Sequence, residues 1–209
     1  MNLYIVRHGE TEENVNNIIQ GHQAGTLTAL GHEQARLLAQ RLRELRFDAI
    51  YASDLGRVVD TARYILQYQT APIEYDPLLR ERGAGIYEPH PRQRLWEAEM
   101  GSGLPLADFR PEGGESFRDL QDRVERFIDF LRQRHTDETI LLVSHGGWNR
   151  QFLGVARHIG LEESFDISQK NTCVNIVEFR GENHFTVHLV NCISHLDPQT
   201  AASESWQGE

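Results

Sequence analysis

Residues 2–9 read Asn-Leu-Tyr-Ile-Val-Arg-His-Gly, and residues 139–146 read Thr-Ile-Leu-Leu-Val-Ser-His-Gly. Each is a short apolar run that stops at a polar residue, a histidine and a glycine. A run of this kind reads as a buried strand. The glycine after it lets the backbone bend sharply and lets a ligand come close. If the two strands are parallel, His8 and His145 leave the same edge of one sheet. One histidine at a strand end is as readily a satisfied polar residue as a functional one. Two matched endings favour a shared site.

Helical and extended patterns alternate around these runs. Thr28 can cap a helix over 28–46, with Leu30, Leu38, Leu42 and Leu45 on one face. A short strand follows at 48–52, then a helix over 54–67 with Ser53 or Asp54 as its cap, then a brief strand at 73–75. The stretch 76–115 is rich in Gly, Pro, Arg and Glu and reads as an irregular substrate loop or lid. An amphipathic helix is predicted over 115–134, with Phe117, Leu120, Val124, Phe127 and Leu131 on its buried stripe. The 139–143 strand and a helix over 147–159 come next. Two β-rich segments, 172–179 and 184–190, flank Gly181, Glu182 and Asn183 and read as a hairpin.

Strands separated by helices predict an α/β fold, a three-layer sandwich. Its central sheet would be mostly parallel, with the antiparallel C-terminal hairpin at one side. Ligands in such sheets sit beyond the carboxyl ends of the strands. A single domain is expected over 1–196. The polar residues 197–209, Trp206 among them, read as a flexible tail.

A chain of 209 residues suits one domain with a substantial core. Its 31 acidic and 21 basic residues leave a net charge of −10. Nucleic acid and anionic membranes both reward a basic face, so neither is an expected partner. A small anionic substrate remains compatible, because a pocket can be cationic on an acidic protein. No run approaches the ~20 apolar residues that span a bilayer, and the first apolar run ends at Arg7 without an export pattern. A cytoplasmic protein is expected. Cys173 and Cys192 make neither a disulfide framework nor a thiolate cluster, and a reduced pair is expected. The hairpin offers an edge at which two copies can pair as a homodimer.

Arg7 places a fixed positive charge beside His8. Arg57, near the start of the helix after the second strand, can reach the same edge. A guanidinium holds two phosphate oxygens at once, and a helix N-terminus favours an anion. Taken alone, Arg57 reads better as a surface arginine paired with Asp54 or Asp60. Other chemistries fit poorly. Arg7-His8-Gly9-Glu10-Thr11-Glu12 stands where a dinucleotide site needs a glycine-rich turn, and no Gly-x-Ser-x-Gly elbow is present. A metal site wants further ligands at metal spacing, and arginines are poor neighbours for a dication. Two histidines with two arginines suit an anion, so neither metal nor organic cofactor is expected.

The motifs then fall into an ordered set. Val6-Arg7-His8-Gly9-Glu10-Thr11 is followed by Asn14, by Leu27-Thr28 with Gly31 and Gln34-Ala35, and by Ser53-Asp54-Leu55-Gly56-Arg57 with Thr61-Ala62. Leu79-Arg80-Glu81, Gly113-Gly114-Glu115-Ser116 and Ser144-His145-Gly146 complete it. Over 3–190 this set resembles the histidine phosphatase superfamily, also called the phosphoglycerate-mutase-like family. The resemblance implies that His8 is a nucleophile that becomes phosphorylated. Arg7, Arg57 and His145 would bind the phosphoryl oxygens, helped by Asn14, and Glu81 would give a proton to the leaving group. Gln20, Gly21 and Gly146 would line the substrate pocket. By itself Glu81 reads as a solvated loop carboxylate, and only the resemblance lifts it. Thr26, Val58 and Pro89 depart from common family residues (Pro, Ala and Gly), and none of these changes removes a catalytic group.

The implied activity is hydrolysis of a small phosphorylated metabolite through a phosphohistidine. One alternative is a phosphoglycerate mutase, for which the lid stretch looks short. The other is a non-catalytic regulatory binding protein, which would be marked by loss of His8, Arg57, Glu81 or His145. Specificity is expected from 82–115, where Arg92, Arg94 and Trp96 can contact a second anionic or planar group.

Overall fold

The computed structural model describes residues 1–181 and 184–201. Six strands form one sheet: β1 (Asn2–Arg7), β2 (Ala49–Ala52), β3 (Ile73–Tyr75), β4 (Thr139–Ser144), β5 (Val174–Arg180) and β6 (His184–Cys192). Their order is β3-β2-β4-β1-β5-β6. The first four run parallel, and β5 and β6 add antiparallel pairs at one side. The central pair is β1 with β4, in a register that sets Arg7 opposite Ser144. Both chains leave the sheet one residue later, at His8 and His145. This register brings the two distant sequence repeats together.

Six helices accompany the sheet: α1 (Glu12–Val15), α2 (Ala29–Leu42), α3 (Gly56–Ile65), α4 (Arg92–Gly101), α5 (Phe117–Arg134) and α6 (Gly146–Arg157). Alternate strand residues feed two cores. Leu3 and Ile5 of β1, with Ile140 and Leu142 of β4, pack with Leu120, Val124 and Phe127 of α5 and with Trp148 and Phe152 of α6. On the other face, Val6, Leu141 and Val143 pack with Leu38 and Leu42 of α2 and Val58 of α3. Each such side chain, once fully buried, stabilises the fold by roughly 1.5–3 kcal/mol. The three-layer α/β architecture therefore follows from apolar runs buried on both faces.

Several local expectations need correction. The second helix stops at Leu42, short of Arg46, because Gln69 Nε2 donates to the carbonyls of Leu42 and Leu45 and takes up the helix end. Neither Ser53 nor Asp54 caps α3, whose N-cap is Leu55 without a side-chain bond. Asp54 is instead held by the Arg80 guanidinium. The stretch 76–115 is less irregular than its composition implies, since it contains α4 and short 3-10 turns at Pro77–Leu79 and Gly85–Tyr87. Its helix escapes a periodicity reading because the buried face holds Glu99 beside Leu95, and Glu99 is buried through an ion pair with Arg82. The short α1 also escapes it; a Thr11–Asn14 capping box holds that turn.

Residues 197–201 form a turn capped by Asp197, and Gln34 of α2 donates to the Thr200 carbonyl. The rest of the expected tail, with Trp206, lies outside the described residues, as do Glu182 and Asn183 of the expected hairpin turn. Cys173 and Cys192 are both free thiols. Among the described residues no helix is long and apolar enough to cross a membrane.

Candidate active site

A cleft of about 170 Å³ opens at the carboxyl edge of β1 and β4. Arg7, His8, Asn14, Gln20, Gly21, Arg57, Glu81 and Gly146 line it, drawn from segments far apart in the chain. His145 lies behind this lining, fully buried, with its ring centroid 5.3 Å from that of His8.

The backbone around His8 is fixed from several sides. Gly9 N–H donates to Thr61 Oγ1, Glu10 N–H donates to Gln34, and Asn171 Nδ2 and Thr172 N–H both donate to the His8 carbonyl. A Cβ at residue 9 would stand 2.4 Å from the Gly31 carbonyl of α2, so only glycine permits this approach. His8 Nδ1 lies 2.7 Å from the Gly9 carbonyl. A carbonyl only accepts, so Nδ1 carries the proton and Nε2 keeps its lone pair. Burial first, then the Arg57 and Arg7 charges, hold the His8 pKa well below 6.5. His8 is therefore a neutral imidazole with one unengaged nitrogen in a cationic cleft.

His145 is neutral for similar reasons: burial first, then Arg57 and His8, lower its pKa well below 6.5. Its Nε2 lies 2.9 Å from Ser53 Oγ, while its Nδ1 is buried with no partner among the described residues. Ser53 Oγ already accepts from Leu55 N–H. Its own proton can go to Nε2, and in that tautomer Nδ1 carries the N–H. An unmatched N–H donor is what an oxyanion would satisfy.

Arg57 is 1% exposed, and the surface pairing with Asp54 or Asp60 does not form. Asp54 pairs with Arg80 and Asp60 with Arg63. The Arg57 Nη1 donates to the Gln23 carbonyl and its Nη2 to the Gly21 carbonyl, which ties the guanidinium to the loop carrying Gln20 and Gly21. Arg7 Nη1 donates to the Gln169 carbonyl. Burial pulls both arginine pKa values down to about 10, which leaves them charged at neutral pH. The Nε of each is buried and has no hydrogen-bond partner among the described residues.

Glu81 is not a solvated loop carboxylate. Its Oε1 accepts from Arg82 N–H and its Oε2 from Gly147 N–H, both at 3.0 Å. A Cβ at residue 147 would meet Oε1 at 2.2 Å, so the glycine there makes room for the carboxylate. The preceding carbonyls are all held by side chains. Trp148 and Arg123 donate to Leu78, Ser144 to Leu79, and Arg123 to Arg80 and Glu81. Arg123 is itself paired with Glu115, which also accepts from Gly83 N–H. The Gly113-Gly114-Glu115-Ser116 motif thus supports the Glu81 loop and supplies Ser116 as the cap of α5.

Of the residues expected to confer specificity, Arg92 lines the cleft, whereas Arg94 and Trp96 do not. Arg82, Arg150 and Phe117 line it as well. The sequence marks Arg150 only through spacing: it lies four residues beyond Gly146, one helical turn, on the same face of α6. Arg82 has no such signal.

Two adjacent parallel strands thus give way to histidines beside a cleft lined by arginines. The chain belongs to the histidine phosphatase superfamily (branch 1), whose model matches residues 3–193. Fructose-2,6-bisphosphatase TIGAR B of Danio rerio is 36% identical over 141 residues, covering 65% of this chain but only 55% of that protein. The probable phosphoglycerate mutase GpmB of Enterobacter sp. is 39% identical, over 94% of this chain and 95% of its own length. Among solved structures, the alpha-ribazole phosphatase of Shigella flexneri superposes with a TM-score of 0.84 at 29% identity, covering 92% of this chain and 96% of that one.

Proposed function

We propose that the protein is a metal-independent phosphomonoesterase that hydrolyses a small phosphorylated metabolite through a phosphohistidine at His8. The observation that carries this reading is the clamped tautomer of His8, which aims a neutral, unengaged nitrogen into a cleft held positive by Arg7 and Arg57. Named phosphatases among the similar proteins support the reaction class.

In the first step His8 Nε2 attacks phosphorus and the bond to the leaving oxygen breaks. Glu81 delivers a proton to that oxygen. Arg7, Arg57 and the His145 Nδ1–H take up the charge on the equatorial oxygens. In the second step water attacks the phosphohistidine, the ionised Glu81 accepts its proton, and the P–N bond breaks. Inorganic phosphate leaves and His8 returns to its starting tautomer. A mutase would replace that water by a second substrate hydroxyl, the reading that the GpmB likeness keeps in view.

Release of phosphate from p-nitrophenyl phosphate in chelator, without a bisphosphoglycerate primer, is the direct test. Failure to turn over under these conditions contradicts the proposal. Its pH dependence follows from the lowered His8 pKa. Protonation removes the attacking lone pair, so activity is present above that lowered value and is lost as pH falls through it. The acid limb of kcat/KM should therefore lie below pH 6.5, once titration of the substrate phosphate near pH ~6 is corrected for. An acid limb above 6.5 excludes the role assigned to His8.

A further inference from the structure

The two ends of the proposed reaction lie on separate loops. Residues 20–24 hold the arginine on the phosphoryl side, since Arg57 donates to the carbonyls of Gly21 and Gln23. Residues 81–88 carry Glu81, the proton donor. His22 joins the two. Its Nε2 lies 2.9 Å from the Glu81 carbonyl, and its backbone N–H donates to Glu88 Oε2 at 2.9 Å. A carbonyl only accepts, so His22 Nε2 carries a proton. The Glu115 carboxylate stands 3.8 Å from the same nitrogen. Glu88 also accepts from Ala84 N–H, which closes the link on the second loop.

The other holds on Glu81 do not make this connection. Arg123 Nη2 donates to the same carbonyl at 3.0 Å, but Arg123 belongs to α5 and is tied to Leu78, Arg80 and Glu115. It fixes the acid's loop against α5, not against Arg57. The N–H groups of Arg82 and Gly147 grip the carboxylate and leave the backbone of Glu81 to be set separately. Among the described residues no other side chain of 20–24 bonds to that backbone. A general acid works only within hydrogen-bond reach of the oxygen it protonates. The place of that oxygen is set by the phosphoryl group that Arg57 binds. We infer that His22 is a positioning residue, which fixes the spacing between the Arg57 site and Glu81 and so aligns proton delivery to the leaving group. His22 does not line the cleft and acts through Glu81. This inference rests on the phosphatase reading.

The test times phosphorylation of the enzyme by rapid quench with two esters. Glycerol 3-phosphate has a leaving oxygen that needs a proton, and p-nitrophenyl phosphate has one that does not. In His22→Ala the ratio of the two rates, alkyl over aryl, should fall by about tenfold, because slight misplacement of a catalytic group is costly. His22→Gln should restore the ratio, since its amide sets an N–H donor near the place of the imidazole Nε2–H. In a Glu81→Ala background, His22→Ala should leave the ratio where Glu81→Ala alone puts it, as expected when one residue acts only through the other. The His22 side chain is 37% exposed, so its loss spares the core, and a melting curve for each variant reads folding apart from alignment. An unchanged ratio in folded His22→Ala, a loss that glutamine does not recover, or a further fall in the Glu81→Ala background overturns the positioning role. Wild-type protein that forms no phosphohistidine from either ester sinks the phosphatase reading, and this role with it.

Discussion

Alanine at His8 is expected to lower kcat on any phosphomonoester by about 10⁴-fold or more, roughly 5.5 kcal/mol of transition-state stabilisation. The proposed reaction passes through a bond to Nε2, and nothing else in the cleft can replace that bond. Glu81 faces the cleft but is committed to proton transfer, and the neighbouring donors are arginines, which are not nucleophiles. The variant should fold, because the loop around residue 8 is held mainly by backbone bonds to Thr61, Gln34, Asn171 and Thr172. A melting curve beside the kinetics separates loss of chemistry from loss of structure. Residual activity within about tenfold of wild type, from a folded variant, would remove His8 from the reaction path.

The second large effect is expected at Glu81, and its size should depend on the leaving group. General acid catalysis contributes about 10²–10⁴-fold where the departing oxygen needs a proton. An alkyl phosphate such as glycerol 3-phosphate needs one, whereas nitrophenolate leaves without help. In Glu81→Ala, phosphorylation by the alkyl ester should fall by about 10³-fold, while p-nitrophenyl phosphate should still phosphorylate the enzyme quickly. The same carboxylate is assigned to activating water in the second step. Steady turnover of p-nitrophenyl phosphate should then be slow after a burst of one equivalent of nitrophenolate per enzyme. Stopped-flow absorbance reads this directly. Equal losses on both substrates with no burst would show that Glu81 carries only structure. The substitution suits the test because both backbone donors that hold the carboxylate, at Arg82 and Gly147, border the cleft and can turn to water.

How much of this was legible in the residues depended on what kind of physics each feature uses. The strands β1 and β4 and their parallel pairing could be read because a strand buried on both faces must be apolar throughout, and both runs end abruptly in the same polar word. The amphipathic α5 was equally plain. Of its stripe, Leu120, Val124, Phe127 and Leu131 are buried as spaced, and Phe117 is half-buried. The helix α4 was not, because its buried position at Glu99 is occupied by an acid whose partner, Arg82, lies in a different segment. Periodicity sees apolar residues and is blind to a buried ion pair.

The site divided the same way. His8 and His145 could be found by matching strand ends. Arg57 pointed the wrong way in isolation, since its local acidic neighbours promised a surface pair. The fold turns it inward, where carbonyls of Gln23 and Gly21 hold it and Arg80 and Arg63 claim those acids. Glu81 became legible only through the family resemblance. What sets it in place is a clamp of Arg123, Trp148 and Ser144 on the carbonyls of its loop, and no local sequence pattern encodes such a clamp. Arg82 and Arg150 stayed hidden because charged residues beside loops and on helices are ordinarily solvated, and their orientation toward the cleft is a tertiary fact.

Rapid-quench labelling tests the covalent step most directly. Wild-type protein mixed for milliseconds with a ³²P-labelled phosphomonoester should carry label that survives alkali and is released by acid, the stability of a phosphoramidate, and the labelled peptide should contain His8. The label should be absent from His8→Ala and should build up in Glu81→Ala fed an activated ester. Wild-type protein that turns over the substrate yet shows no acid-labile label at any time, or carries it on another residue, would contradict hydrolysis through His8.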